Sequence, residues 1–202
     1  MKAKLSNVKT TVMGIQGSGK TELAKQLTKQ FKKPVWYLVN LDDLDNMPNH
    51  VAVIKAERRN LEELEIIIGR LLQLAKQGKV DAIFIDEFDM FLNTNHDINN
   101  YPNINDLVIN HRHYKLAVIG ITRRPQDIPT KYIESCEHMF VFALPNSDNT
   151  HRKFKSMDKD FEILLTQLTK DNHKFIYKQL GYKPQLMNPI KLIKSKQEVK
   201  HG

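Results

Sequence analysis

The sequence predicts an α/β fold of three layers, with helices on both faces of a mainly parallel central sheet. Two observations predict it. Short apolar runs alternate with amphipathic stretches along the first 150 of the 202 residues, and a glycine-rich turn joins the first run to the first helical stretch. The strand candidates are residues 8–13, 35–39, 50–54, 80–85, 116–121 and 139–144. Several are continuous apolar runs, as expected of strands covered on both faces.

The helices follow from spacing and end signals. Residues 21–31 carry Leu23, Leu27 and Phe31 on one stripe. Residues 60–77 form the best helix: Asn60 caps it, Glu62, Glu63 and Glu65 suit its positive end, and Gly78 closes it. A shorter helix is expected over 103–111, after Pro102. Residues 42–49 and 93–103 read as loops. A polar turn at 145–148 leads to a helix over 161–168 and an edge strand over 175–177. The expected organisation is a core over 1–150, an extension of the same domain over 151–182, and a basic tail over 183–202 carrying Lys183, Lys191, Lys194, Lys196 and Lys200.

Composition narrows the function classes. A hydrophobic share of 41% with 27% charged residues suits a globular chain, and a formal charge of +8 points to a polyanion. No apolar run approaches the ~20 residues that span a bilayer. The basic N-terminus lacks the apolar stretch of a signal peptide. Cys136 is the single cysteine, which excludes an internal disulfide and a Cys-based zinc module and fits a reducing compartment.

The informative motif is Gly14-Ile15-Gln16-Gly17-Ser18-Gly19-Lys20-Thr21, a full G-x-x-x-x-G-K-[ST] between a strand and a helix. Its glycines let successive N–H groups turn toward phosphate oxygens, and the helix start adds partial positive charge beneath them. Lys20 is expected on the β- and γ-phosphates of ATP, and the Thr21 hydroxyl on Mg²⁺. Gly14, Gln16, Gly17, Ser18 and Gly19 complete the expected nucleotide site. A chance match in a glycine turn arises in roughly one chain of this length in a hundred.

A second motif supplies the carboxylates. The apolar run over 80–85 ends in Asp86-Glu87. Asp86 is placed to hold the Mg²⁺ hydration shell beside Thr21, and Glu87 to polarise a water toward the γ-phosphate as general base. The bland alternative is a solvated acidic loop, since Asp89 follows. No guanine-reading Asn/Thr-Lys-x-Asp is present, and a small-molecule kinase has no need of a water-activating glutamate. Gly14–Thr21 with Asp86-Glu87 thus looks like the P-loop NTPases of the extra-strand, catalytic-glutamate type. In that class the strand over 116–121 lies between the P-loop and acidic strands, so Thr122 and Arg123 at its exit are expected to sense the γ-phosphate.

His111-Arg112-His113 before that strand and Thr122–Pro129 after it carry a closer resemblance. Residues 8–144 resemble the FtsK–HerA superfamily of DNA-pumping ATPases, with Arg123 where the family usually has Gln. The resemblance implies a homo-oligomeric ring, usually a hexamer, with ATP between subunits and double-stranded DNA through the centre. It also implies that Arg112 acts as an arginine finger on a neighbour's ATP, with Arg124 as its rival; a surface arginine near a helix end is the alternative. His111 and His113 read as helix-end or surface histidines and not as metal ligands.

The short chain resembles the single-domain genome-packaging ATPases of tailless, membrane-containing viruses. That implies a host-cytoplasmic protein, or one at the packaging vertex of a virion, with a capsid vertex or membrane protein as partner. A nucleotide or small-molecule kinase, with Arg123, Arg124 and Arg152 closing on the phosphate, and an assembly or extrusion ATPase at a membrane remain as alternatives. Residues 93–103 and the lysines after His151 are the candidate DNA contacts.

Overall fold

The computed structural model describes residues 5–39, 47–93, 97–145 and 147–190. The expected loop over 42–49 and the lysines at 191, 194, 196 and 200 fall wholly or partly outside these residues, as do parts of the 93–103 loop and the 145–148 turn. The strands are β1 (Lys9–Met13), β2 (Pro34–Leu38), β3 (Ala52–Lys55), β4 (Ala82–Ile85), β5 (Ala117–Thr122), β6 (His138–Val141), β7 (Phe175–Gln179) and β8 (Gln185–Met187). They form one sheet in the order β3-β2-β4-β5-β1-β6-β7-β8. Every pairing from β3 to β6 is parallel; β7 runs antiparallel to β6, and β8 antiparallel to β7. β5 therefore lies between β1 and β4, where the extra-strand class puts it.

Why the strands read as continuous apolar runs is visible in the packing. In β4, Ile83 and Ile85 belong to one core and Ala82 and Phe84 to the other. The first core lies under α2 (Leu61–Lys76), α3 (Pro102–Asn110), α4 (Thr130–Glu134), α5 (Asp148–Met157) and α6 (Asp160–Leu165). The second lies under α1 (Lys20–Thr28). There Trp36 stacks on Phe84 at 4.9 Å and donates its ring N–H to Thr28 Oγ1 at 3.0 Å, tying α1 to β2. The cap of α2 forms as expected: Asn60 Oδ1 accepts from the Glu63 N–H at 3.0 Å.

Several expectations need correction. α1 ends at Thr28, yet Phe31 still reaches the core from the turn beyond it. The edge strand expected over 175–177 is β7, and it is not an edge, because β8 covers it. β8 falls inside the stretch read as tail: with two apolar residues in three, it carries no alternation to detect. α5 went unseen because only Thr150 and Phe154 are buried along it; Ser147 caps it. The helix expected over 161–168 stops at Leu165. His111 ends α3, as the helix-end reading expects, but it is not on the surface: it is 2% exposed, and burial, helped by Lys9, drives its pKa down to about 4. His113 is exposed, as expected. Cys136 is free and buried, and burial pushes its thiol up to about 12.

Candidate nucleotide site

Register gathers the motifs. Met13 pairs with Thr122 across β1–β5, and Ile85 with Gly120 across β4–β5. The residues that follow these strands, Gly14, Asp86 and Arg123, therefore emerge at the same edge of the sheet, the carboxyl edge where α/β folds bind ligands.

The loop after β1 is strapped on both sides. The Gly14 N–H donates to Thr122 O at 3.2 Å and the Ile15 N–H to Ala143 O at 2.8 Å. Gly14 has φ +155°, and a Cβ there would lie 2.7 Å from Phe142 Cβ and 2.8 Å from Ser18 Oγ, so no other residue fits. Ser18 Oγ and Lys20 Nζ each donate to Ile15 O at 2.8 Å, which folds the loop over its own lysine. Gln16 and Gly17 are exposed at the crest, while Thr21 is half-buried in the first turn of α1. Gly19 caps α1 without a side chain, so the first-turn N–H groups face the loop interior and form an anion-binding helix start.

Asp86 is buried, with its N–H donating to Tyr37 O at 3.0 Å. Glu87 adopts a left-handed backbone at φ +48° and forms an ion pair with Arg123 at 2.7 Å. The expected catalytic acid and the expected sensor are thus in direct contact within one chain.

Sequence reasoning missed Asp89, setting it aside as loop polarity. It is buried, accepts from Thr122 Oγ1 at 2.5 Å and accepts from the Arg123 N–H at 3.2 Å. Thr122 Oγ1 in turn accepts from the Arg124 N–H at 3.2 Å. Asp89 thereby orients the whole exit of β5. The available signal was its spacing, three residues past Asp86 and one short helical turn away. Asp89→Ala is expected to leave the Thr122 hydroxyl unsatisfied, costing about 1–3 kcal/mol. In steady-state assays we expect kcat to fall by about 10-fold with ATP affinity changed far less, the signature of lost transition-state positioning. Equal losses in both would show that Asp89 only supports the loop.

The segment after Arg123 is braced by α5. Lys153 donates to Gln126 O at 3.3 Å and to Ile128 O, and Thr150 donates to Gln126 Oε1 at 3.4 Å. Burial lowers the Lys153 pKa. Other lysines after His151 are also engaged internally: Lys155 with Glu162, Lys178 with Asp158 and Lys183 with Asp160.

Arg112 is not brought to this cluster. It sits before β5, at the opposite edge of the sheet, 64% exposed and paired with Glu137. Arg124 is exposed at the nucleotide edge.

A magnesium ion suits the oxygen donors at the nucleotide edge. Thr21 offers a hydroxyl and Asp86 a carboxylate, both hard ligands. Among the described residues no three His, Cys, Asp or Glu side chains converge, so other ligands there would be water and phosphate.

The ATPase family associated with various cellular activities (AAA) matches residues 10–144, two thirds of the chain, from the second residue of β1 to the segment after β6. The chain belongs to that family. It is a P-loop ATPase. No curated protein sequence matches it. The fold is shared with the DNA-packaging ATPase B204 of Sulfolobus turreted icosahedral virus, at a TM-score of 0.78 and 16% identity over 93% of this chain and 100% of that one. B204 of Sulfolobus turreted icosahedral virus 2, a genome packaging NTPase bound to AMPPCP, aligns at 0.76 with 15% identity over 94% of the ATPase and 100% of its own length. The pCW3 conjugation coupling protein TcpA, bound to ATPγS, aligns at 0.62 with 12% identity over 93% of the ATPase and 62% of its own chain. These neighbours share the fold of this ATPase.

Proposed function

We propose that this ATPase is a motor that translocates double-stranded DNA, packaging a viral genome into a preformed capsid from the host cytoplasm or the capsid vertex. The observation that carries the reading is end-to-end likeness. The alignment with the B204 packaging ATPase takes in 93% of this chain and 100% of the other, whereas TcpA, aligned over the same share of this chain, is covered to only 62% of its own.

In this reading Gly14, Gln16, Gly17, Ser18 and Gly19 wrap the phosphates and Lys20 draws the β- and γ-oxygens. Thr21 and Asp86 hold magnesium, which supplies charge neutralisation at the phosphate oxygens when bound. Glu87 polarises the attacking water. Arg123 has two anions to choose between, the Glu87 carboxylate at 2.7 Å and the γ-phosphate. Drawn to the phosphate, it frees Glu87 for the water; when the phosphate leaves, it returns. Each exchange shifts the 123–129 segment, and the Lys153 and Thr150 bonds pass that shift to α5. Arg112, outside its own site, serves a neighbouring subunit's ATP in a ring, hexameric by the family pattern.

The kinase reading has less support, since Arg123 is held by Glu87 and Arg152 bonds to Asp148 O and Asn149 on its own helix. The test is the ATPase rate with and without long double-stranded DNA. Severalfold stimulation by DNA, lost in Arg112→Ala and restored by mixing with Glu87→Gln subunits that carry an intact arginine, is expected. A monomer whose rate ignores DNA would refute the motor.

A further inference from the structure

The turn between α6 and β7, residues 169–174, has no role in the reading above. Because β7 runs antiparallel to β6, its first residue returns to the nucleotide edge. Phe175 packs on Phe142 at 5.2 Å, and Phe142 is the side chain against which Gly14 and Gly19 are pressed. The turn just before Phe175 is thereby laid on the phosphate loop.

Two of its side chains touch that loop. A Cβ on Gly17, at the exposed crest, would lie 2.8 Å from Lys170 Cε and 3.4 Å from its Nζ. His173 places Nδ1 3.4 Å from Ser18 O, in a left-handed backbone at φ +46°. That conformation is uncommon for a residue with a side chain and is held by its surroundings. Asn172 does the holding: its Oδ1 accepts from the Thr169 and Lys174 N–H groups at 3.3 and 3.0 Å, and its Nδ2 donates to Gln167 O at 2.9 Å. The turn is pre-shaped before any ligand arrives.

Lys170 forms no ion pair with a described residue, although Asp171 is next to it and exposed. Lys174 adds a second cation on the same turn. A cation without a carboxylate partner, lying across an anion-binding loop, is a recognition element for phosphate.

We propose that residues 169–174 form an intrachain wall of the nucleotide pocket, in which Lys170 is a second phosphate-binding lysine for a nucleoside di- or triphosphate and His173 positions the turn on the loop. The inference rests on the P-loop being the nucleotide site. Its shape explains why Gly17 is glycine: any side chain there would displace Lys170 as well as strain the loop.

The test is titration of fluorescent (N-methylanthraniloyl) ATP and ADP into the full chain and into Lys170→Ala, Lys170→Arg and Lys20→Ala variants, with ATPase kinetics alongside. Lys170→Ala is expected to weaken both nucleotides by about 3- to 10-fold, the range of a partly exposed charge-assisted contact. KM should carry the larger part of the loss, and Lys170→Arg should restore most of it. Unchanged nucleotide affinity in Lys170→Ala overturns the proposal. So does a loss confined to DNA stimulation, which would assign the turn to DNA phosphates. Lys20→Ala separates the two levels: wild-type binding there would refute the P-loop site itself, whatever Lys170 does. Because Lys170 is exposed, its removal leaves no cavity to confound the comparison.

Discussion

Glu87→Gln is expected to lower kcat by about 10²- to 10⁴-fold, the range for a lost general base. The substitution keeps the size of the side chain and its reach toward Arg123, so the left-handed turn at φ +48° has no new reason to move. What it removes is the charge, and with it both the basicity toward water and half of the ion pair. ATP affinity is expected to hold or to rise slightly, because Arg123 no longer has a carboxylate competing with the γ-phosphate. Single-turnover hydrolysis and nucleotide titration read the two effects separately. A variant that keeps kcat within about 3-fold would mean that Glu87 only anchors Arg123, and that the water is oriented by another group.

Trp36→Ala is expected to cost about 3–5 kcal/mol of folding stability, the usual range for a large aromatic removed from a core. Trp36 is 0% exposed and lies parallel to Phe84 within 5°. Its ring N–H is bonded to Thr28, whose hydroxyl also donates to Ala24 O at 2.8 Å and so stays satisfied after the change. The loss is therefore of burial and stacking, not of an orphaned polar group. The consequence for the site is indirect: the end of α1 distant from the phosphate loop loses its tie to β2. Urea unfolding followed by far-UV circular dichroism measures the effect. A loss below about 1 kcal/mol would show that α1 is held by other contacts.

Legibility followed burial. β2, β4 and β5 are buried on both faces and wrote largely apolar runs, whereas β1, equally buried, opens with Lys9, Thr10 and Thr11 and was read with the glycine-rich motif that follows it. α5 is a polar sequence with two buried anchors and β8 is only three residues long, so neither has a period to detect. The site divided in the same way. Gly14–Thr21 and Asp86-Glu87 are local patterns whose chemistry requires contiguity. Asp89, Lys153 and Lys170 act on groups far along the chain, Asp89 across 33 residues to Thr122, and such partnerships exist only once the sheet is assembled. His111 was legible as a helix-end residue and only its burial was hidden, because a histidine between two polar neighbours shows no sign of it until α3 is packed and its turn faces inward.

The sheet also determines how the molecule can be held. β1 begins at the edge where Arg112 meets Glu137, since the Lys9 N–H donates to that same Glu137 at 2.6 Å. β8 ends at the other edge, because Met187 pairs with Phe175 beside the phosphate loop. A load applied between Lys9 and Met187 would therefore cross the sheet from the arginine side to the nucleotide side.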